Sequence, residues 1–233
     1  MLKLDFKVEN GEEQLLTEEG DQVMMNWEQG YMEEAIKKLN PRGNVLEIGF
    51  GMGFSASAIQ TFKHVKSHTI IECNEIVFER AKAWRKKYPD KNIKLVFGRW
   101  EDKILYLNDK FDAIFMDDYP LNIKQESNNI TKYTSLRRFY LFIDLVLQEH
   151  ILNVGGKISG YLNENVGFKV SSDSEPFVEI TCSTMDIMIP KHCRYRDLKE
   201  QKTTIPVIKL IKPYTFEEAQ AHNLKQLRTN LKK

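Results

Sequence analysis

The stretch Val45-Leu46-Glu47-Ile48-Gly49-Phe50-Gly51-Met52-Gly53-Phe54-Ser55 decides the fold. A short apolar run breaks into glycines at every second position, as a buried strand does when it turns sharply and leaves bare main chain for a ligand to lie against. Gly49, Gly51 and Gly53 behind Glu47 read E-x-G-x-G-x-G, whereas a dinucleotide fingerprint needs a glycine where Phe54 stands. The turn therefore favours a cofactor built from a nucleoside and an amino acid over NAD. About 20 residues on, His68-Thr69-Ile70-Ile71-Glu72 ends in an acid, placed at a strand tip to accept both ribose hydroxyls. Together these features point to S-adenosylmethionine.

Working outward, strands and helices alternate. Val45–Ile48, Thr69–Cys73, Ile93–Phe97, Phe111–Met116 and Ile158–Leu162 read as buried strands, and Ser55–Phe62, Glu75–Tyr88 and Leu136–Leu152 as helices, the last closed by Asn153-Val154-Gly155-Gly156. This predicts an α/β fold with a doubly wound parallel sheet. Glu179–Ile189 and Thr203–Lys212 are strand-like, but the charged residues between them lack the apolar stripe that a parallel crossover needs. The last two strands are therefore expected as an antiparallel hairpin, completing the seven-stranded sheet of class I methyltransferases. Ahead of the sheet, Glu18 to Leu39 reads as helical, with Val23, Trp27, Tyr31, Ala35 and Leu39 on one stripe, ended by Pro41-Arg42-Gly43. The division is an N-terminal helical lid over residues 1–40, closing the active site, and a class I methyltransferase domain over 41–233. Phe216 to Leu231 reads as a terminal helix that packs back on the domain, a homodimer contact being the alternative use of its apolar face.

Composition bounds the function. The 233 residues, 42% hydrophobic, suit one domain with a substantial core. Thirty-four Lys and Arg against 33 Asp and Glu leave a net charge of +1, so bulk electrostatics give no case for nucleic acid or a membrane surface as partner. Cys73, Cys182 and Cys193 have neither metal nor redox spacing, and His64, His68, His150, His192 and His222 are scattered, so no metal site is expected. With no secretory h-region in the first residues and no apolar run of spanning length, a cytoplasmic location is expected.

On a doubly wound sheet the chemistry collects at the carboxyl ends of the strands. Glu72 ends the second, Trp100-Glu101 follow the third, Asp117-Asp118-Tyr119-Pro120 end the fourth and Tyr161 to Asn165 the fifth. Trp100 offers a face for adenine and Glu101 an acceptor for its amine. Asp117 leaves an apolar strand where a methyl acceptor must sit. Glu28, in Trp27-Glu28-Gln29-Gly30-Tyr31, is the acid it is expected to meet, while Asp118 reads as a loop or capping residue. Paired carboxylates call for a cationic, multi-donor substrate, and a guanidinium matches them with a planar fork of N–H groups. Methylases of base amino groups or glutamine carry Asn/Asp-Pro-Pro-Tyr here; Asp-Asp-Tyr-Pro weakens that reading.

With these residues in place the chain resembles guanidinoacetate N-methyltransferase and its relatives that methylate the guanidino group of arginine. The resemblance rests on Val23-Met24, Trp27-Glu28, Tyr31-Met32, Val45 to Met52, Ile70-Ile71-Glu72-Cys73-Asn74, Trp100-Glu101-Asp102 and Asp117-x-Tyr119-Pro120-Leu121, with a weaker return at Cys193-Arg194-Tyr195. It implies S-adenosylmethionine held by Met24, Met32, Gly49, Phe50, Gly51, Met52, Gly53, Phe54, Ser55, Glu72, Cys73, Asn74, Trp100 and Glu101. Glu28 and Asp117 would clamp a small-molecule guanidino substrate, with Tyr119, Asn163 and Glu164 beside it. A protein or peptide arginine is the alternative acceptor, and a non-catalytic cofactor-binding relative the third reading.

Three departures bear on specificity. The family's Asn-Leu-Thr after strand five, which contacts the substrate carboxylate, is replaced by Tyr161-Leu162-Asn163-Glu164-Asn165. Glu164 would repel a glycine carboxylate and pair with an α-ammonium, so arginine or a derivative is expected to be preferred over guanidinoacetate. The helix between strands five and six reads as reduced to Lys169–Pro176, and Asn122–Tyr133 as an added loop.

Overall fold

A computed structural model describes residues 3–9, 11–118, 131–162, 167–194 and 201–230. Its centre is a seven-stranded sheet of β4 (Gly43–Ile48), β5 (Val65–Glu72), β6 (Ile93–Phe97), β7 (Phe111–Met116), β8 (Leu152–Gly160), β9 (Val178–Asp186) and β10 (Lys202–Leu210), in the order β6-β5-β4-β7-β8-β10-β9. The first five run parallel. β10 is antiparallel to both β8 and β9, so the closing strands form the hairpin that the sequence predicts. The chain order reverses between β4 and β7, and the glycine turn after β4 opens at that crevice.

The central strands are apolar on both faces because each face is covered. Leu46, Ile114, Met116 and Ile158 pack with Phe139, Phe142, Ile143 and Val146 of α5 (Thr131–Gln148). Val45, Ile70, Ala113 and Phe115 pack with Ala35, Ile36 and Leu39 of α1 (Gln29–Leu39), with Ala56 and Ile59 of α2 (Phe54–Gln60), and with Val77, Ala81 and Trp84 of α3 (Glu75–Arg85). The four-residue α4 (Trp100–Lys103) follows β6, and α6 (Phe216–Asn230) ends the described chain.

The N-terminal segment departs from the expected helical lid. The helix starts at Gln29; before it stands an antiparallel three-stranded sheet of β1 (Leu4–Glu9), β2 (Glu12–Thr17) and β3 (Gln22–Met25). Its turns carry Gly11 (φ 80°) and Gly20 (φ 85°), and the β2–β3 turn closes through Asp21 N–H to Thr17 Oγ1 (3.0 Å). The spacing Val23-Trp27-Tyr31 is met across a strand, a 3-10 turn (Asn26–Glu28) and a helix, so its period reflects no single element. Tyr31 does face inward: its hydroxyl donates between the carbonyls of Gly160 and Thr204 (3.1 Å each) and accepts from Leu162 N–H (3.1 Å).

Two boundaries also move. The helix expected to end near Leu152 ends at Gln148, the chain turns at His150 (φ 53°), and Gly155 and Gly156 lie within β8. Apolar pattern alone did not separate helix from strand there, since Ile151 and Leu152 fit either. Between β8 and β9 the described residues hold only a 3-10 turn, Glu175–Phe177, in agreement with the reduced helix expected there.

Candidate active site

The glycine turn is built around close approaches. Gly49 (φ 81°) donates to Ile71 O (2.9 Å), and a Cβ on it would lie 2.1 Å from the Asp117 carbonyl oxygen. Gly51 (φ 51°) leaves room for Met24: a Cβ there would sit 2.8 Å from its sulfur, which accepts from Met52 N–H at 3.2 Å. A side chain at either position would push the strand ends apart or displace the methionine. The N-terminal sheet thus contributes Met24 directly to the turn.

Glu72, at the end of β5, accepts from Phe50 N–H (2.9 Å) through one oxygen and from Asn74 N–H (2.7 Å) through the other. Burial pushes its carboxyl up, and the backbone donors oppose that. Cys73 and Gly51 also reach it through their backbone N–H groups, so the carboxylate joins the end of β5 to the glycine turn. Asn74 caps α3, its Oδ1 accepting from Ile76 N–H (3.1 Å). Cys73 beside them is pushed up to about 11 by burial and by the charge of Glu72, which makes it a packing group.

Beneath the turn lies a fully buried polar chain that the sequence reading passed over. Ser55 donates to Glu47, His68 Nε2 lies 2.9 Å from the other Glu47 oxygen, and Gln60 lies 2.9 Å from His68 Nδ1. The Ser55 hydroxyl is therefore committed below the turn. Met32, also expected at the cofactor, is fully buried in the core beside Phe50 and Met52.

Of the two acids expected to meet, Glu28 acts by its charge on Asp117. Glu28, 2% exposed, accepts from Met25 N–H (2.8 Å), which fixes it on the 3-10 turn after β3. Asp117 leaves β7 with its N–H on Ile48 O (2.9 Å). Burial, together with the negative charges of Glu28, Glu47, Asp118 and Glu72, holds its carboxyl well above the usual range. Among the described residues no group of His, Cys, Asp and Glu is arranged to hold a metal ion.

Asp118, expected as a loop or capping residue, lies just past the end of β7. It pairs with Arg138 of α5, which also donates to Glu101 at 2.8 Å, and Arg99 meets the same Glu101 oxygen at 2.9 Å. No sequence signal pointed to Arg138, since its partners lie 20 and 37 residues away. Trp100 is 8% exposed and set edge-on to Phe142, with ring centres 5.2 Å apart, so most of its surface belongs to the core. Tyr119, Asn163 and Glu164 lie outside the described residues.

A glycine turn with bare backbone at the switch point, a buried acid at the end of β5 and further acids after β6 and β7 define a class I methyltransferase dependent on S-adenosylmethionine. The family model described as guanidinoacetate N-methyltransferase matches residues 6–144, and the chain belongs to that family. Among curated proteins it is similar to protein arginine N-methyltransferase 2 of Saccharomyces cerevisiae, 35% identical over 129 residues, covering 50% of this chain and 30% of that protein. The Gibberella zeae protein of the same name is 26% identical over 197 residues, covering 77% of this chain and 41% of its own. The chain thus spans less than half the length of either relative. Among solved structures, an O-methyltransferase from Bacillus cereus superposes with a TM-score of 0.52 at 14% identity, covering 80% of this chain and 82% of its own, a likeness of fold.

Proposed function

We propose that the protein methylates the guanidino group of arginine carried in a polypeptide. The observation that carries this reading is Asp117, a proton-seeking carboxylate set among four others, which calls for a cationic acceptor. The relatives named protein arginine N-methyltransferase 2 support a protein acceptor over the small molecule expected from the sequence alone. A free guanidino compound is the second reading, favoured by the family match and by the burial of Glu28 behind the N-terminal sheet.

The residues fit the cofactor. Gly49 to Ser55, Met24, Glu72, Asn74 and Glu101 would hold S-adenosylmethionine, which when bound supplies an electrophilic methyl group. The remaining problem is the acceptor: a guanidinium has a pKa above about 12, so its free base is scarce at neutral pH. Glu28 and Asp117 clamp the guanidinium and aim one nitrogen at the methyl. As that nitrogen forms its new bond its proton becomes acidic, and Asp117, whose environment raises its proton affinity, takes it. The N-terminal segment, with Met24 on β3 and Glu28 on the 3-10 turn after it, would close over the site. A methylation screen over arginine peptides, arginine, agmatine and guanidinoacetate tests the assignment. Preference for the peptides is expected; turnover of guanidinoacetate alone would overturn it.

A further inference from the structure

Asp117 and Asp118 are neighbours in sequence, yet only Asp118 meets a cation among the described residues. Arg138 Nε donates to Asp118, and its Nη2 donates to Glu101 Oε1 at 2.8 Å. Arg99 meets that same oxygen at 2.9 Å, so both arginines converge on Oε1 and Oε2 takes neither. The guanidinium carbon lies 5.6 Å from the centre of the Trp100 ring. All three partners are partly withdrawn from water, with side-chain exposures of 26% for Arg138, 16% for Asp118 and 29% for Glu101. One side chain of α5 therefore ties the element after β6 to the end of β7.

We propose that Arg138 is a positioning residue for the transfer: an internal guanidinium that occupies Asp118 and one oxygen of Glu101, leaving Asp117 for the acceptor and the other Glu101 oxygen for the adenine amine. The acceptor half rests on the proposed function; the cofactor half rests only on the methyltransferase class. Around Asp117 the charged groups are Glu28 from the turn after β3, Glu47 from β4, Glu72 from the end of β5, and Asp118 beside it. Arg138, from α5, balances Asp118 and Glu101. Without that balance an incoming guanidinium has a second acidic seat at Asp118, out of line with the methyl. Asp117 then also feels the full charge of Asp118 and gives up its proton less readily.

The test uses Arg138→Gln, Arg138→Lys and the double variant Asp118→Asn with Arg138→Gln. S-adenosylhomocysteine titrated calorimetrically, with no acceptor present, reads the cofactor half. Arg138→Gln is expected to weaken its affinity about tenfold, because Glu101 loses the planar fork that sets it, and Arg138→Lys is expected to recover little. The pH profile of kcat on an arginine peptide reads the acceptor half. Its acid limb should move to higher pH by about half a unit or more in Arg138→Gln and return in Arg138→Lys, which keeps the charge. It should also return in the double variant, where Asp118 no longer needs balancing. Unchanged affinity and an unchanged limb, with only the melting temperature lowered, would reduce Arg138 to a brace between β7 and α5 and overturn the proposal. A wild type that binds S-adenosylhomocysteine but methylates no arginine compound would overturn the proposed function and the acceptor half with it; calorimetry alone then decides the cofactor half.

Discussion

At the scale of single residues, the acids around the acceptor divide by what each can give up. Glu28 is tied to its own turn by Met25 N–H, which fixes its carboxylate, and in the proposed function it orients the acceptor. Asp117, among the described residues, has no side-chain hydrogen bond, and its surroundings favour its protonated form. Asp117→Asn keeps the shape and removes the base, so kcat should fall by about 10² or more, while S-adenosylhomocysteine affinity is kept. Glu28→Gln should act chiefly on the KM of the acceptor. Steady-state kinetics beside calorimetry separate the two; if both variants turn over like wild type, the clamp is wrong. Both acids were legible in the sequence, because one ends an apolar strand and the other sits in a distinctive Trp-Glu-x-x-Tyr run. Arg138 was not, since nothing local marks a helix arginine whose partners are brought to it by the sheet.

At the scale of elements, the N-terminal sheet carries Met24, leads into the turn that bears Glu28, and is held from two sides. Arg80 of α3 makes paired hydrogen bonds to Glu13 of β2 (2.8 and 2.6 Å) and lies over the Phe6 ring of β1 at 4.1 Å. On the other side Gln22 of β3 accepts from Arg194 N–H (2.7 Å) and donates to His192 O (3.0 Å). The Arg80 pair is about a third exposed, so with its ring contact it stabilises by about 1 kcal/mol after screening. Arg80→Ala should lower the melting temperature by about 2–4 °C and raise the KM of cofactor and acceptor together, since both are served by the sheet it releases. A KM change confined to one of them would show that the sheet does not move as a unit. The parallel strands were readable because burial on both faces makes them apolar runs. The N-terminal strands were not: a stripe that continues through β3, the 3-10 turn and α1 imitates one helix, and only the glycines at 11 and 20 argued for hairpins.

At the scale of the whole molecule, a cluster of buried acids is one the fold holds at a cost. Asp117, Asp118 and Glu72 all have carboxyls raised by burial, Asp117 the most crowded by other acids. A carboxyl raised in the folded state binds its proton more tightly folded than unfolded. Its contribution to stability is therefore fully present below the unfolded value, near pH 3.8, and is lost as pH rises through the folded value. Glu13, Glu34, Glu101 and Glu175, lowered by their cationic or hydrogen-bonding partners, act in the opposite sense and keep the fold stable toward neutrality. Asp117→Asn removes one term of the first kind without changing volume. The variant should therefore melt about 3 °C or more above wild type at pH 8, with the difference shrinking as pH falls and gone near pH 4. Melting curves of both proteins across that range check the sign: a variant less stable than wild type at pH 8 would mean that Asp117 is held by a partner and is not poised for one. Arginine added at high concentration should narrow the gap at pH 8 by stabilising wild type alone, because only the carboxylate offers it an ion pair.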